Sequence, residues 1–147
     1  MKGMANSEAG LQAYLGLAGA LQKGQLSGKE REVIALTLGE ANECHYCVAA
    51  HTKVGMGMGL TEEQTLAARK GGGMGDDKLD ALAKFVLRIK ETNGYVSEKD
   101  LKEFMDAGYN EAQVVEVIGC YALNMFTNIF NHVNDTEIDF PAPPPLD

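Results

Sequence analysis

Residues 27–60, SGKEREVIALTLGEANECHYCVAAHTKVGMGMGL, decide the fold of this chain. Ser27-Gly28-Lys29-Glu30 has the form of a capping box, in which a hydroxyl and a carboxylate satisfy the free N–H groups of a helix start. Val33, Ile34, Leu36 and Leu38 are the apolar residues of the helix it opens. Asn42-Glu43 is expected to break that helix, with Asn42 as the turn residue, because an asparagine side chain bonds its own backbone and tolerates left-handed geometry. A further helix then runs from about Cys44 to Gly59.

The same punctuation continues outward. Ser7 caps a first helix that runs through about Lys23 and stops at Gly24. Thr61 and Gln64 form another box, opening a short helix to Lys70. Asp76 or Asp77 caps a helix with Leu79, Leu82, Val86 and Ile89 at 3-4-3 spacing. Ser97 caps the next, which stops at Gly108. Asn110 and Gln113 open the last and longest helix, with Val114, Ile118, Tyr121, Met125 and Ile129 on one stripe. Val117, Phe126, Phe130 and Val133 widen that stripe, so the helix is expected to be central and buried on several sides. No period-2 alternation is sustained enough for a strand. The class is all-α, with one helical domain over residues 1–139 and an extended Pro-rich tail over 140–147.

Composition narrows the function. A length of 147 residues suits one core, and 45% apolar with 23% charged residues is the balance of a soluble globular protein. A net charge of −8 with no basic cluster argues against nucleic acid and anionic membrane surfaces as partners. No apolar run is long enough to span a membrane, and no apolar signal segment follows Met1, so a cytoplasmic location is expected. Three cysteines make an odd set for a disulfide framework. Cys120, alone in an apolar helix, is expected to be a small buried hydrophobe.

The chemistry sits in Cys44-His45-Tyr46-Cys47-Val-Ala-Ala-His51. Spacings of three and four put Cys44, Cys47 and His51 on one helical face. The helix amino terminus supplies unpaired N–H groups and partial positive charge, which favour thiolate over thiol. A thiolate attacks peroxide, and a second cysteine resolves the resulting sulfenic acid to a disulfide. His51 can take or give the proton. His45 is expected to point outward, while Tyr46 either offers its hydroxyl to the site or packs as an aromatic. A carboxylate is wanted to orient the histidine, and Glu30, Glu32, Glu40 and Glu43 are candidates. Glu32 shares a helical side with Ala35, Leu36 and Gly39, small enough to approach the next helix closely. Gly55, further along the Cys47 and His51 face, is expected to leave room for substrate.

Two other readings use the same residues. Cys44, Cys47 and His51 are three zinc ligands lacking a fourth, which His132 or Cys120 would have to supply. Alternatively the pair is a redox switch that oxidises without turnover.

Arg31-Glu32-x11-Cys44-x-Tyr46-Cys47-x3-His51, within Leu26 to about Glu63, resembles the alkylhydroperoxidase D-like branch of the carboxymuconolactone decarboxylase superfamily. Beyond it, Leu101-x6-Gly108-Tyr-Asn-Glu111 and the final helix with Asn124 and Asn131 are more loosely similar to its peroxidase-related members. The resemblance implies a bundle of six to seven helices around a central helix hairpin, assembled as a trimer or hexamer. It also implies a thiol-dependent peroxidase without metal or organic cofactor. Cys47 would be peroxidatic, Cys44 resolving, and His51 with Glu32 a proton relay. Tyr46 stands where the family's relay has a further histidine. The implied partners are a peroxide and a thioredoxin-like or lipoyl-carrying reductant. Lactone decarboxylation, the reaction in the superfamily's name, would leave Cys44 without a task.

Overall fold

The computed structural model describes residues 2–146, apart from the side chain of Lys2. Met1 and Asp147, the outer ends of the expected domain and tail, lie outside the described residues. A 3-10 turn over Lys2–Asn6 precedes seven α-helices: α1 (Glu8–Leu21), α2 (Gly28–Ala41), α3 (His45–Gly57), α4 (Glu62–Lys70), α5 (Asp77–Thr92), α6 (Glu98–Asp106) and α7 (Glu111–Val133). No strand occurs among the described residues, and the class is all-α.

Local sequence starts these helices where the caps predict. Ser27, Thr61, Ser97 and Asn110 each form a complete capping box with the residue three positions on. Ser7 and Asp76 cap α1 and α5. Replacing such a cap by alanine typically costs about 0.5–2 kcal/mol. The first helix ends two residues earlier than expected, at Leu21.

Helix α2 is the centre of the molecule. It packs against α3, α4, α5 and α7. Every residue from Val33 to Gly39 is buried, which explains why its apolar residues form no single stripe. At its carboxyl end the chain reverses into α3. The left-handed residue of that reversal is Glu43 (φ 55°), not Asn42. Asn42 is instead the residue that ends α2, with its amide turned inward to Lys90 and Asn128. Gly39 lets the two helices touch. A Cβ there would lie 3.5 Å from Cys47 Cβ and 3.4 Å from Val48 Cγ2.

The last helix corrects the sequence reading. The stripe of α7 that faces the core is Gln113, Val117, Cys120, Asn124 and Asn128, three of them amides. Ile118 and Ile129, placed by periodicity on the core side, are each 53% exposed. Apolar periodicity is right for Val117, which is buried, and for Val114 and Tyr121, which pack on the core, but it misses the innermost positions because the amides there have partners inside. Asn124 donates to the Cys120 carbonyl, and Asn128 bonds Asn42 and Cys47. Val115, Phe126 and Val133 join the outward apolar face.

Beyond α7 the chain turns back along its own helices. The Phe140 ring meets Tyr46 edge-on at 5.6 Å, and the Pro144 carbonyl accepts from the Arg69 guanidinium at 2.6 Å. No helix among the described residues is long and apolar enough to cross a membrane.

Candidate active site

Cys44 is the residue before the first turn of α3 and Cys47 lies within that turn. Their sulfurs are joined as a disulfide, with a Cα–Cα separation of 5.3 Å. Both are nearly inaccessible, 1% and 2% exposed. No side chain caps the α3 start, so its free N–H groups and partial charge belong to the sulfurs' surroundings.

His51 stands one turn beyond Cys47 on the same helix. Its Nδ1 lies 2.7 Å from Glu32 Oε2 on α2. The other carboxylates lie away from His51 or have other partners. Glu40 accepts from Arg69 Nε at 2.8 Å. Glu43 is exposed at the turn. Glu30 closes the α2 capping box and faces Lys78 at 3.4 Å. Burial works to raise the Glu30 carboxyl, but the Ser27 hydroxyl and N–H, Lys78 and the Tyr109 phenol together hold it below its ordinary value.

A cavity of about 230 Å3 opens beside these groups. Cys47 and His51 both line it, with Tyr14, Tyr46, Phe130 and Met4 as apolar walls. Tyr46 therefore borders the cavity as well as packing on Phe140. Burial raises its phenol, and the neighbouring Asp139 carboxylate and Tyr14 add to the rise, so the hydroxyl keeps its proton and can donate a hydrogen bond. Cys44 borders a different space, a groove on the tail side lined by Glu43, His45, His132 and Glu137. His45 is exposed, as its position between the cysteines predicts.

Gly55 does not make room for substrate. A Cβ there would come within 3.0 Å of Leu60 Cδ1 and 3.5 Å of Glu32 Cβ, so this glycine serves close packing of α3 on α2 and the following loop. Cys120 is a free, buried cysteine within the core cluster, and burial pushes its thiol up to about 11. Among the described residues no group of three or more histidine, cysteine, aspartate and glutamate side chains is disposed to hold a metal ion.

The structure adds residues that spacing did not bring forward. Asn128 Nδ2 donates to Cys47 Sγ at 3.0 Å and Asn131 Nδ2 to the same sulfur at 3.2 Å. Their signal in the sequence is faint. Asn124, Asn128 and Asn131 recur at 4-3 spacing on the side of α7 that carries Val117 and Cys120. Amides on a buried stripe imply partners inside.

With 21% identity, the chain is similar to a peroxidase-related protein from Silicibacter sp. TM1040 at a TM-score of 0.80, over 92% of this chain and 73% of that one. An alkylhydroperoxidase AhpD core protein from Ralstonia eutropha JMP134 is 22% identical at a TM-score of 0.75, over 88% and 70% of the two chains. The debrominase Bmp8, in complex with 2,3,4-tribromopyrrole, is 17% identical at a TM-score of 0.80, over 95% and 75%. No curated protein sequence matches the chain. These likenesses establish a shared fold. Residues 8–84, more than half of the chain, match the carboxymuconolactone decarboxylase family, and the chain belongs to that family.

Proposed function

We propose that the protein is a thiol-dependent peroxidase in which Cys47 is the attacking sulfur and Cys44 the resolving one. The observation that carries this reading is the His51–Glu32 pair, 2.7 Å apart, beside a cavity that Cys47 also lines. In the reduced protein the Cys47 thiolate attacks the terminal oxygen of a hydroperoxide. The O–O bond breaks, the alkoxide takes a proton from His51, and an alcohol leaves. Cys47 is then a sulfenic acid. The Cys44 sulfur attacks it, a protonated hydroxide departs as water, and the disulfide forms. Two electrons and two protons from an external dithiol, thioredoxin-like or lipoyl-carrying, restore both thiols. Glu32 orients His51 and balances its positive form.

The test separates the sulfurs. Cys44→Ser treated with one equivalent of peroxide should accumulate a sulfenic acid on Cys47 that a dimedone probe traps. Cys47→Ser should trap none and should lose peroxide reduction. Full-rate sulfenic acid formation in Cys47→Ser would reject the role assignment.

A second reading comes from the debrominase of the same fold, and the aromatic walls Tyr14, Tyr46 and Phe130 favour a flat arene in the cavity. The same thiolate would take bromine from carbon, the carbon would gain a proton, and Cys44 would displace bromide. Bromide release from 2,3,4-tribromopyrrole, compared with consumption of cumene hydroperoxide, distinguishes the two. Self-association through the outward apolar face of α7, as a trimer or hexamer, completes the proposal.

A further inference from the structure

We propose that Lys90, Asn42 and Asn128 form a polarised hydrogen-bond chain that keeps Cys47, and not Cys44, ionised when the disulfide is open. The Lys90 ammonium, in the last turn of α5, donates to Asn42 Oδ1 at 2.7 Å. Asn42 Nδ2 donates to Asn128 Oδ1 at 2.8 Å. Asn128 Nδ2 donates to Cys47 Sγ at 3.0 Å. The direction is forced, because an ammonium has donors and no acceptor. Asn42 must therefore show it the carbonyl oxygen, which leaves the amide N–H to donate onward. The same logic turns Asn128. Every link donates toward the sulfur, and each polarises the next.

Burial gives the chain its consequence. Asn128 is 1% exposed, so water does not compete for its amide. A thiol or disulfide sulfur is a weak acceptor, whereas a thiolate is a strong one. The donors are thus best satisfied by Cys47 as an anion. Asn131 reinforces the choice of sulfur, since its amide lies 3.2 Å from Cys47 Sγ and 4.0 Å from Cys44 Sγ. The second N–H of Asn42 meets Met125 Sδ at 3.2 Å, so that amide has no idle donor. Other titratable groups face the same sulfur region: His51 with Glu32, Tyr14 and Tyr46 across the cavity, Asp139 beside Tyr46, and Glu43, His45, His132, Asp135 and Glu137 on the Cys44 side. Among the described residues, Lys90 is the cation that the hydrogen bonds link to Cys47. Asn128 touches the reacting sulfur; Lys90 and Asn42 are positioning residues that act through it.

The inference rests on the reading of Cys47 as the working thiol, but its test does not need peroxide turnover. In a Cys44→Ser background, the rate of Cys47 alkylation by iodoacetamide and the ultraviolet thiolate absorbance are followed against pH. Lys90→Met should raise the apparent midpoint by about 0.5–1 unit, and Asn128→Leu by about 1 unit or more. Lys90→Arg should restore the parental midpoint. A merely structural lysine would lower the melting temperature without moving this titration. Unmoved midpoints in folded Lys90→Met overturn the chain whatever becomes of Asn128→Leu, and so do equal shifts in Lys90→Met and Lys90→Arg. A parental protein that consumes no peroxide but shows the Lys90 shift and its rescue supports the chain while removing the peroxidase reading.

Discussion

Replacing Glu32 by glutamine removes one charge and almost nothing else. The side chain keeps its length, and its carbonyl oxygen can still accept from His51 Nδ1, now 2.7 Å from Glu32 Oε2. What disappears is the charge assistance when the ring is an imidazolium. A hydrogen bond to a charged group contributes about 1.5–3 kcal/mol and a neutral one about 0.5–1.5 kcal/mol. Because the His51 and Glu32 side chains are 28% and 14% exposed, water screens part of the difference. A loss of about 1 kcal/mol is expected, equivalent to about a fivefold fall in kcat/KM for peroxide reduction. Glu32→Leu removes the acceptor altogether and should cost about 10- to 100-fold. Initial rates at fixed dithiol concentration measure both. Melting of Glu32→Gln should stay within about 4 °C of the parent, because a partly screened pair contributes little to folding. If Glu32→Leu retains the parental kcat/KM within about a factor of two, the pair has no part in the proton transfer.

Gly55→Leu should destabilise the fold by about 1–3 kcal/mol, because its new atoms meet Leu60 and Glu32 in a space already filled. Thermal melting reads the loss, and hydrogen peroxide and cumene hydroperoxide should lose activity alike; selective loss of the bulkier one would restore a substrate role for this position. Lysines at Ile118 and Ile129 together should shift any self-associated species to monomer on size exclusion with light scattering, since both residues lie on the outward apolar face of α7. Asp100 accepts from the Ser97 hydroxyl and N–H and from Arg88, which holds its carboxyl down at about 2 from the ordinary 3.8. The folded value is depressed, so its stabilisation is present above 3.8 and fades as pH falls toward 2. Melting curves of Asp100→Asn should accordingly flatten with pH across that interval.

Helix starts were the most legible part of the sequence, because a cap is a local event. Ser27 with Glu30 and Asn110 with Gln113 need only three residues to declare themselves. The inner face of α7 was legible only in part, at Val114, Val117, Cys120 and Tyr121, because the rest depends on what lies inside. Its buried side is paid for by hydrogen bonds across more than eighty residues of chain, from Asn128 to Asn42 and to Cys47. Hydrophobic periodicity counts only water avoidance and so points to Ile118 and Ile129. Cys44, just before α3, borders the other space, while the placement of Cys47 and His51 on one wall followed from their spacing on one helix. The choice of Glu32 among four carboxylates did not, since it turns on Glu40 being occupied by Arg69 and Glu30 by its own cap. Gly55 misled for a related reason: a missing side chain marks either an opening or a tight fit, and only the neighbour decides.

Cys47 borders the aromatic cavity and Cys44 the tail-side groove. On the proposed reaction, oxidant and reductant then arrive through two spaces that meet at Tyr46 and Asn131. A donor seated in the groove approaches the shielded Cys44 sulfur without evicting whatever waits beside His51.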